Sequence, residues 1–387
     1  MDLQNTNQNE TGSLLALSVE PLVVRACLLE SVDGHYRLAG WLSVPRDPTQ
    51  DVAQQVADTC RRLGMRLGRR LWDERTDAPW LQAEDAIRFP PLSQVAAVAS
   101  PRLHLRVWLA GLTPSGSRAA QRALAACPVQ TVGNTCLSIA TNSGQLADEL
   151  LAAQPEALVI SGGYDNPDPA AQPALLLLNK LVGQAVARLP RGQRPSLFYA
   201  GNRWAAPQAE ALLRQDDGSI QATVLGNVQP MPGQINSAEL ATALGYYFWQ
   251  LCERTPGCGR VARWITSPGQ MGNLETGFAQ VTLAWMVQQR LSTLHSLYRT
   301  DAWWLHVWAS ERPSGIRLHF APPQTRPPAL ADWPPLQLVS GEWPLTLWPP
   351  PNVYWHDPIG LAPLVAGIGQ VAPLAMMQVL GLDLLKG

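Results

Sequence analysis

The sequence predicts an α/β protein with a central region of mainly parallel strands. Between residues 136 and 228 short apolar runs alternate with helical stretches, which is βαβ organisation. The runs lack polar alternation, as strands covered on both faces do. Three of them end in glycine beside asparagine or aspartate: Ala157-Leu158-Val159-Ile160-Ser161-Gly162-Gly163-Tyr164-Asp165-Asn166, Ser196-Leu197-Phe198-Tyr199-Ala200-Gly201-Asn202 and Ala222-Thr223-Val224-Leu225-Gly226-Asn227-Val228. Ligands of open α/β sheets sit beyond the carboxyl ends of such strands. Gly162, Gly163, Asp165, Asn166, Gly201, Asn202 and Asn227 are therefore the candidate ligand- or partner-binding residues. Turn chemistry alone competes as an explanation for each unit, and their repetition along one edge favours a shared site.

Taken in order, residues 14–29 read as a strand broken at Glu20-Pro21 or as two short strands. Residues 36–44 read as its partner across the hairpin dipeptide Asp33-Gly34. Residues 51–71 carry apolar side chains at helical spacing (Val52, Val56, Leu63, Leu67, Leu71). Arg61, Arg62, Arg66, Arg69 and Arg70 crowd its later turns, where cations suit the helix dipole; an anion patch is the alternative. After Pro90-Pro91 a strand over 103–109 enters the small-residue loop Gly111-Leu112-Thr113-Pro114-Ser115-Gly116-Ser117, followed by a helix over 118–126. That layout matches an anion-cradling helix N-terminus but lacks the G-x-x-x-x-G-K-[ST] pattern of a phosphate loop. Strands are expected over 136–141, 158–161, 196–200 and 222–226, and helices over 144–153, 173–188, 207–215 and 238–253. Residues 266–296 read as helical beyond Pro268. Past Asp301 tryptophans and prolines interleave, which fits either a recognition surface or aromatic filling of a core.

With 387 residues and 46% hydrophobic composition, two or three domains with a sizeable core are expected. A net charge of -1 and 15% charged residues give no basic stripe for nucleic acid. Cys27, Cys60, Cys127, Cys136, Cys252 and Cys258 form no C-x-x-C pair, so free thiols in a reducing cytoplasm are expected. The first residues lack the basic, apolar layout of a signal peptide and read as a disordered lead-in. The uncharged stretch 359–382 is long enough for a membrane span, but its prolines and glycines favour two broken helices. Catalytic motifs are missing: no H-E-x-x-H, no G-x-S-x-G and no dinucleotide fingerprint after a first strand. The histidines stand singly, and Asp165 is one carboxylate without a base or metal shell.

Several units in series carry a resemblance. They are Leu109-Ala110-Gly111-Leu112-Thr113-Pro114 with its alanine-rich helix, Ser161-Gly162-Gly163-Tyr164-Asp165, Tyr199-Ala200-Gly201-Asn202, Asn227-Val228-Gln229-Pro230, Thr266-Ser267-Pro268 after a strand-like 261–265, and Leu361-Ala362-Pro363-Leu364 through Val379-Leu380. In this order, over nearly the whole chain, the sequence resembles the glutamate-mutase-associated MutL family, unrelated to the mismatch-repair protein of similar name. The resemblance implies an ATP-binding fold of the actin, sugar-kinase and Hsp70 type, with ribonuclease H-like lobes of mixed sheets, encoded beside cobalamin-dependent mutases.

Departures from that pattern fall on the nucleotide loops. The first, matching Ser18-Val19-Glu20-Pro21-Leu22, has no glycine, and its proline removes a donor. The second falls near His306-Val307-Trp308-Ala309-Ser310-Glu311, with a bulky Trp308. The adenosine-side glycine run falls at Val339-Ser340-Gly341-Glu342-Trp343-Pro344, with one glycine left. The expectation is a catalytically silent relative with no cofactor, binding a protein such as a mutase or an active paralogue, with homo-oligomerisation a further option. ATP and magnesium enter under the rival expectation of an ATP-hydrolysing accessory protein, with Glu20 or Glu311 holding the metal. A third expectation is a small-molecule sensor using the strand-end pocket. The expected domains are a lead over 1–13, a first lobe over 14–100, a central region over 101–300 and a second lobe over 301–387.

Overall fold

The computed structural model describes residues 12–32, 35–81, 91–125, 127–214, 221–266, 271–288, 290–299, 304–311 and 314–321. The described residues fall into two compact units, those within 12–103 and 249–318, and those within 104–248 and 319–321. The stretch 249–300, read from the sequence as part of the central region, thus belongs with the first unit.

Unit 1 opens with strands β1 (Ser13–Val19), β2 (Val23–Val32) and β3 (His35–Pro45), an antiparallel meander. Helix α1 (Val52–Leu67) follows, begun by the Asp51 carboxylate accepting from Gln54 N–H and ended at Gly68 in the left-handed conformation. Its stripe of Val52, Val56, Cys60 and Leu63 packs on Leu15, Leu17 and Val19 of β1. A two-stranded ribbon, β4 (Trp72–Asp73) with β5 (Ala78–Pro79), leads toward β6 (Gln94–Ala99). β6 pairs parallel to β1, giving the order β3-β2-β1-β6. A meander, a helix and then a strand parallel to the first is the layout expected of a ribonuclease H-like lobe. The sequence reading passed over β6 because its alanine-rich run has no aromatic or polar alternation to mark it.

Unit 2 contains β7 (Leu105–Gly111), α2 (Pro114–Leu124), β8 (Val129–Cys136), α3 (Ser143–Ala153), β9 (Ala157–Ser161), α4 (Pro173–Arg188), β10 (Ser196–Tyr199), α5 (Ala206–Leu213), β11 (Thr223–Val224) and α6 (Ala238–Glu253). The five strands run parallel in the order β11-β10-β9-β7-β8. Counted within the unit this is 2-1-3-4-5, the doubly wound flavodoxin-like order, whose direction of winding reverses between its first and third strands. Leu158 and Ile160 of β9 pack with Leu175, Leu178 and Val182 of α4 and Leu146 and Leu150 of α3. Two expected boundaries shift. α2 begins at Pro114, because a proline at the first turn loses no bond it could have made. The strand expected over 136–141 lies earlier, as β8, and 137–141 forms its exit loop.

Unit 1 resumes with α7 (Cys258–Trp264), α8 (Leu274–Gln288), β12 (Thr293–Arg299), β13 (Trp304–Glu311) and β14 (Ser314–Ala321). The strand-like 261–265 is thus mostly helix: Val261 and Trp264 reach the core over α1 with Cys258, a helical spacing hidden inside a short apolar run. The helix expected to reach 296 stops at 288 and gives way to β12. β12, β13 and β14 form a three-stranded sheet. The Asp33-Gly34 turn, the run 339–344 and the uncharged stretch 359–382 lie outside the described residues.

Leu158 is fully buried in the unit 2 core. Leu158→Ala is expected to cost about 2–5 kcal/mol of unfolding free energy by transfer and cavity terms together, measured by urea denaturation.

Candidate functional site

The strand ends of unit 2 bring all seven predicted residues together. β9 leaves the sheet through Gly162 and Gly163, whose φ angles of 136° and 71° are closed to ordinary side chains. Asn227, reached after β11, donates from Nδ2 to Gly163 O at 2.9 Å and to Asp165 Oδ1 at 3.0 Å. Its Oδ1 accepts from Gln229 N–H, and Asp165 N–H donates to Pro230 O. Asn202, after β10, donates from Nδ2 to Asn166 O at 3.1 Å and accepts from Trp204 N–H at 2.7 Å. Its backbone N–H reaches Gly162 O, and Tyr199 O–H donates to its carbonyl. Asp165 completes the lattice by accepting from Arg203 N–H. Gly201 has no room for a Cβ, which would lie 2.9 Å from Gly162 O.

The side chains of Asn202 and Asn227 are buried and spent on this lattice. They form a frame and offer solvent little. What faces outward comes from the neighbouring positions: Tyr164 is 47% exposed, Trp204 50% and Met231 55%. The Arg203 guanidinium lies 5.1 Å over the Trp204 ring. Ile139, on the loop after β8, is fully exposed. Sequence reasoning quoted Tyr164 within a motif but singled out none of these. Tyr164 lies inside the Gly-Gly-Tyr-Asp turn and Trp204 two residues past Asn202, whereas Met231 and Ile139 carry no comparable mark in the sequence.

In unit 1 the β1–β2 turn places Glu20 at the end of β1, 1% exposed. Arg25 is ion-paired with its Oε1, and Tyr298 O–H of β12 donates to the same oxygen at 2.7 Å. Arg46, also buried, donates to Pro21 O at 2.6 Å and Pro101 O at 2.8 Å, pinning the turn to the exit of β6. The second loop expected near 306–311 is a strand: His306, Val307, Trp308, Ala309 and Ser310 belong to β13, with Trp308 paired opposite His295. Alternation along that strand was masked by its histidine and tryptophans.

A second buried carboxylate was missed by the sequence reading. Glu275, in the first turn of α8, accepts from Ser100 Oγ at 2.6 Å, and Leu274 N–H donates to the same hydroxyl. Burial pushes its pKa up to about 7, the Ser100 bond offsetting part of the shift. Three of the five arginines clustered around the end of α1 are engaged by protein groups. Arg61 is bonded to Glu74 and Asp58, Arg70 to Asp73, and Arg69 is buried against Glu30 and Ser13. The six cysteines are free thiols; burial pushes Cys27, Cys60 and Cys127 up to about 12, so they are not nucleophiles at neutral pH. Among the described residues no group of three or more histidines, cysteines and carboxylates is placed to hold a metal, and no helix is long and apolar enough to cross a membrane.

A family model described as MutL protein matches residues 32–289. The chain belongs to the MutL family. The match covers α1, all of unit 2 that precedes α6, α6 itself, α7 and α8, so the framed strand ends lie inside this MutL segment. No curated protein matches the chain. Among solved structures the chain is similar to acetone carboxylase in its nucleotide-free form, described in work on ATP-dependent acetone carboxylation. The identity is 8% and the TM-score 0.32, over 76% of this chain and 43% of that one. The chain thus spans less than half the length of that protein, and at this score the likeness is too loose to establish a common fold or activity.

Asn227→Ala strands Gly163 O, one Asp165 oxygen and Gln229 N–H together. It is expected to destabilise unit 2 by about 1–3 kcal/mol and to speed amide exchange across 163–166, read by hydrogen–deuterium exchange. Glu275 has a folded pKa of about 7 against an ordinary 4.5, so its contribution to stability is fully present below 4.5 and is lost as pH rises through 7. Glu275→Gln is expected to flatten the fall in melting temperature over that window.

Proposed function

We propose that this MutL-family chain is a non-catalytic binding protein whose partner, a cobalamin-dependent mutase or an active paralogue, docks on the strand-end face of unit 2. The observation that carries the silent half of this reading is the β1–β2 turn. A nucleotide phosphate needs free backbone N–H groups and a carboxylate able to organise its magnesium. Here Pro21 has no N–H, Glu20 N–H is spent on Val23 O, and the Glu20 Oε1 is held by Arg25 and Tyr298, while its buried Oε2 has no partner. With the Arg25 cation already seated against this carboxylate, the turn does not fit magnesium and ATP.

The docking half rests on the exposed aromatic rim. Tyr164 and Trp204 stand on loops made rigid by Asn202 and Asn227, so little conformational entropy is lost when a partner covers them. Arg203 beside Trp204 adds a residue type common at interface hot spots.

Two measurements test the reading. Purified chain incubated with ATP and magnesium is expected to release phosphate no faster than buffer; turnover at a rate abolished by Arg25→Ala overturns the silent assignment. Binding to the purified mutase encoded in the same cell, followed by biolayer interferometry, is expected to weaken by tenfold or more, on the order of 1.4 kcal/mol, in the Tyr164→Ala, Trp204→Ala double variant. Unchanged binding in that variant moves the docking surface elsewhere.

A further inference from the structure

We infer that the crevice at the β7/β9 switch point of unit 2 is a binding site for a phosphate monoester, held by the Gly162 and Gly163 N–H groups and the Ser161 hydroxyl and lying beside the docking face proposed above. Four observations converge there. The reversal of winding between β7 and β9 leaves the two following connections on opposite sides of the sheet, so a crevice opens outside these two strand ends. The loop leaving β7, Leu112-Thr113, runs directly into the N-terminus of α2, where the helix dipole favours an anion, although the Gly116 and Ser117 N–H groups are already taken by Thr113.

The third observation is Ser161, the last residue of β9. It is 1% exposed, and its Oγ has no hydrogen-bond partner, although a buried hydroxyl ordinarily finds one. Ser161 is paired in parallel register with Gly111, so the Cα–Cβ bonds at the two positions leave the sheet on the same face. A Cβ at Gly111 would lie 2.3 Å from Ser117 Oγ, which places the opening turns of α2 over that face. The orphan hydroxyl is therefore aimed toward the start of α2. Fourth, the backbone N–H groups of Gly162 and Gly163 donate to no described residue, and the glycine pair comes close to α2, with a Cβ at Gly116 only 4.0 Å from Gly162 Cα.

The open groups at this edge, the Ser161 hydroxyl and the Gly162 and Gly163 N–H groups, are neutral donors. That chemistry selects a doubly acceptor-rich anion such as a phosphate monoester, which can take several N–H bonds at once. A carboxylate offers fewer acceptors, and a cation finds no ligand of its own sign preference. The remainder of the ligand would extend toward the half-exposed Tyr164, where the loop opens to solvent.

The test titrates the full chain with inorganic phosphate, AMP and adenosine by calorimetry at millimolar concentrations. Hydrogen–deuterium exchange then locates any protection. Inorganic phosphate and AMP are expected to bind, adenosine not, with protection concentrated in 112–117 and 161–164. Ser161→Ala is expected to weaken phosphate and AMP by about tenfold, the loss of one hydrogen bond to a charged acceptor, without lowering the melting temperature. Absence of binding by both phosphate probes overturns the inference. So does AMP binding that Ser161→Ala leaves unchanged, or protection that falls on the β1–β2 turn instead; that last result would also revive the ATPase reading. Mutase binding is measured separately, so loss of the docking reading leaves this outcome readable.

Discussion

The carboxamide of Asn227 ties together what would otherwise be three independent loops. One side chain, approached from the end of β11, satisfies the carbonyl of Gly163, the carboxylate of Asp165 and the amide of Gln229. Asn202 does the same for the Asn166 carbonyl and the Trp204 amide from the end of β10. Parallel strands deliver chain to one edge of a sheet, but they do not by themselves order the loops that leave it. Here the ordering comes from asparagine, which carries a donor and an acceptor on a short stem and so can bridge two backbones that face each other. Because both carboxamides are buried, every bond left unmade would carry a desolvation cost. The lattice is stable as a set and weak in parts.

The two buried carboxylates of unit 1 show how differently burial can be resolved. Glu20 is ion-paired with an arginine and accepts from a phenol, which is the usual way to place a carboxylate away from water. Glu275 meets a hydroxyl at the start of a helix, and burial shifts it toward the neutral form instead. The first solution closes the turn where a related fold would hold phosphate. The second leaves the unit with a proton that titrates near physiological pH.

Function at the unit 2 edge divides by depth. The asparagine lattice lies inside; the aromatic rim of Tyr164 and Trp204 lies outside; and the crevice between β7 and β9 sits beside both, with Ser161 at its floor. A rigid edge would suit the proposed partner and the proposed anion for the same reason, since neither would have to order the loops it meets.

The sequence by itself determined the βαβ succession, the breaks at the glycines that follow β9, β10 and β11, and the MutL membership, because periodicity and glycine are local facts. The roles of Asn202 and Asn227 were half visible: their positions could be read, but whether a carboxamide faces a ligand or its own backbone depends on loops far apart in the chain. Strand order was invisible, since 2-1-3-4-5 follows from which parallel edges meet and not from any residue spacing. Burial of Glu275, the meeting of Tyr298 with Glu20 and the unpartnered hydroxyl of Ser161 were decided by tertiary structure alone. Each is a statement about what remains beside a side chain once water has been excluded, and that depends on residues brought together only by packing.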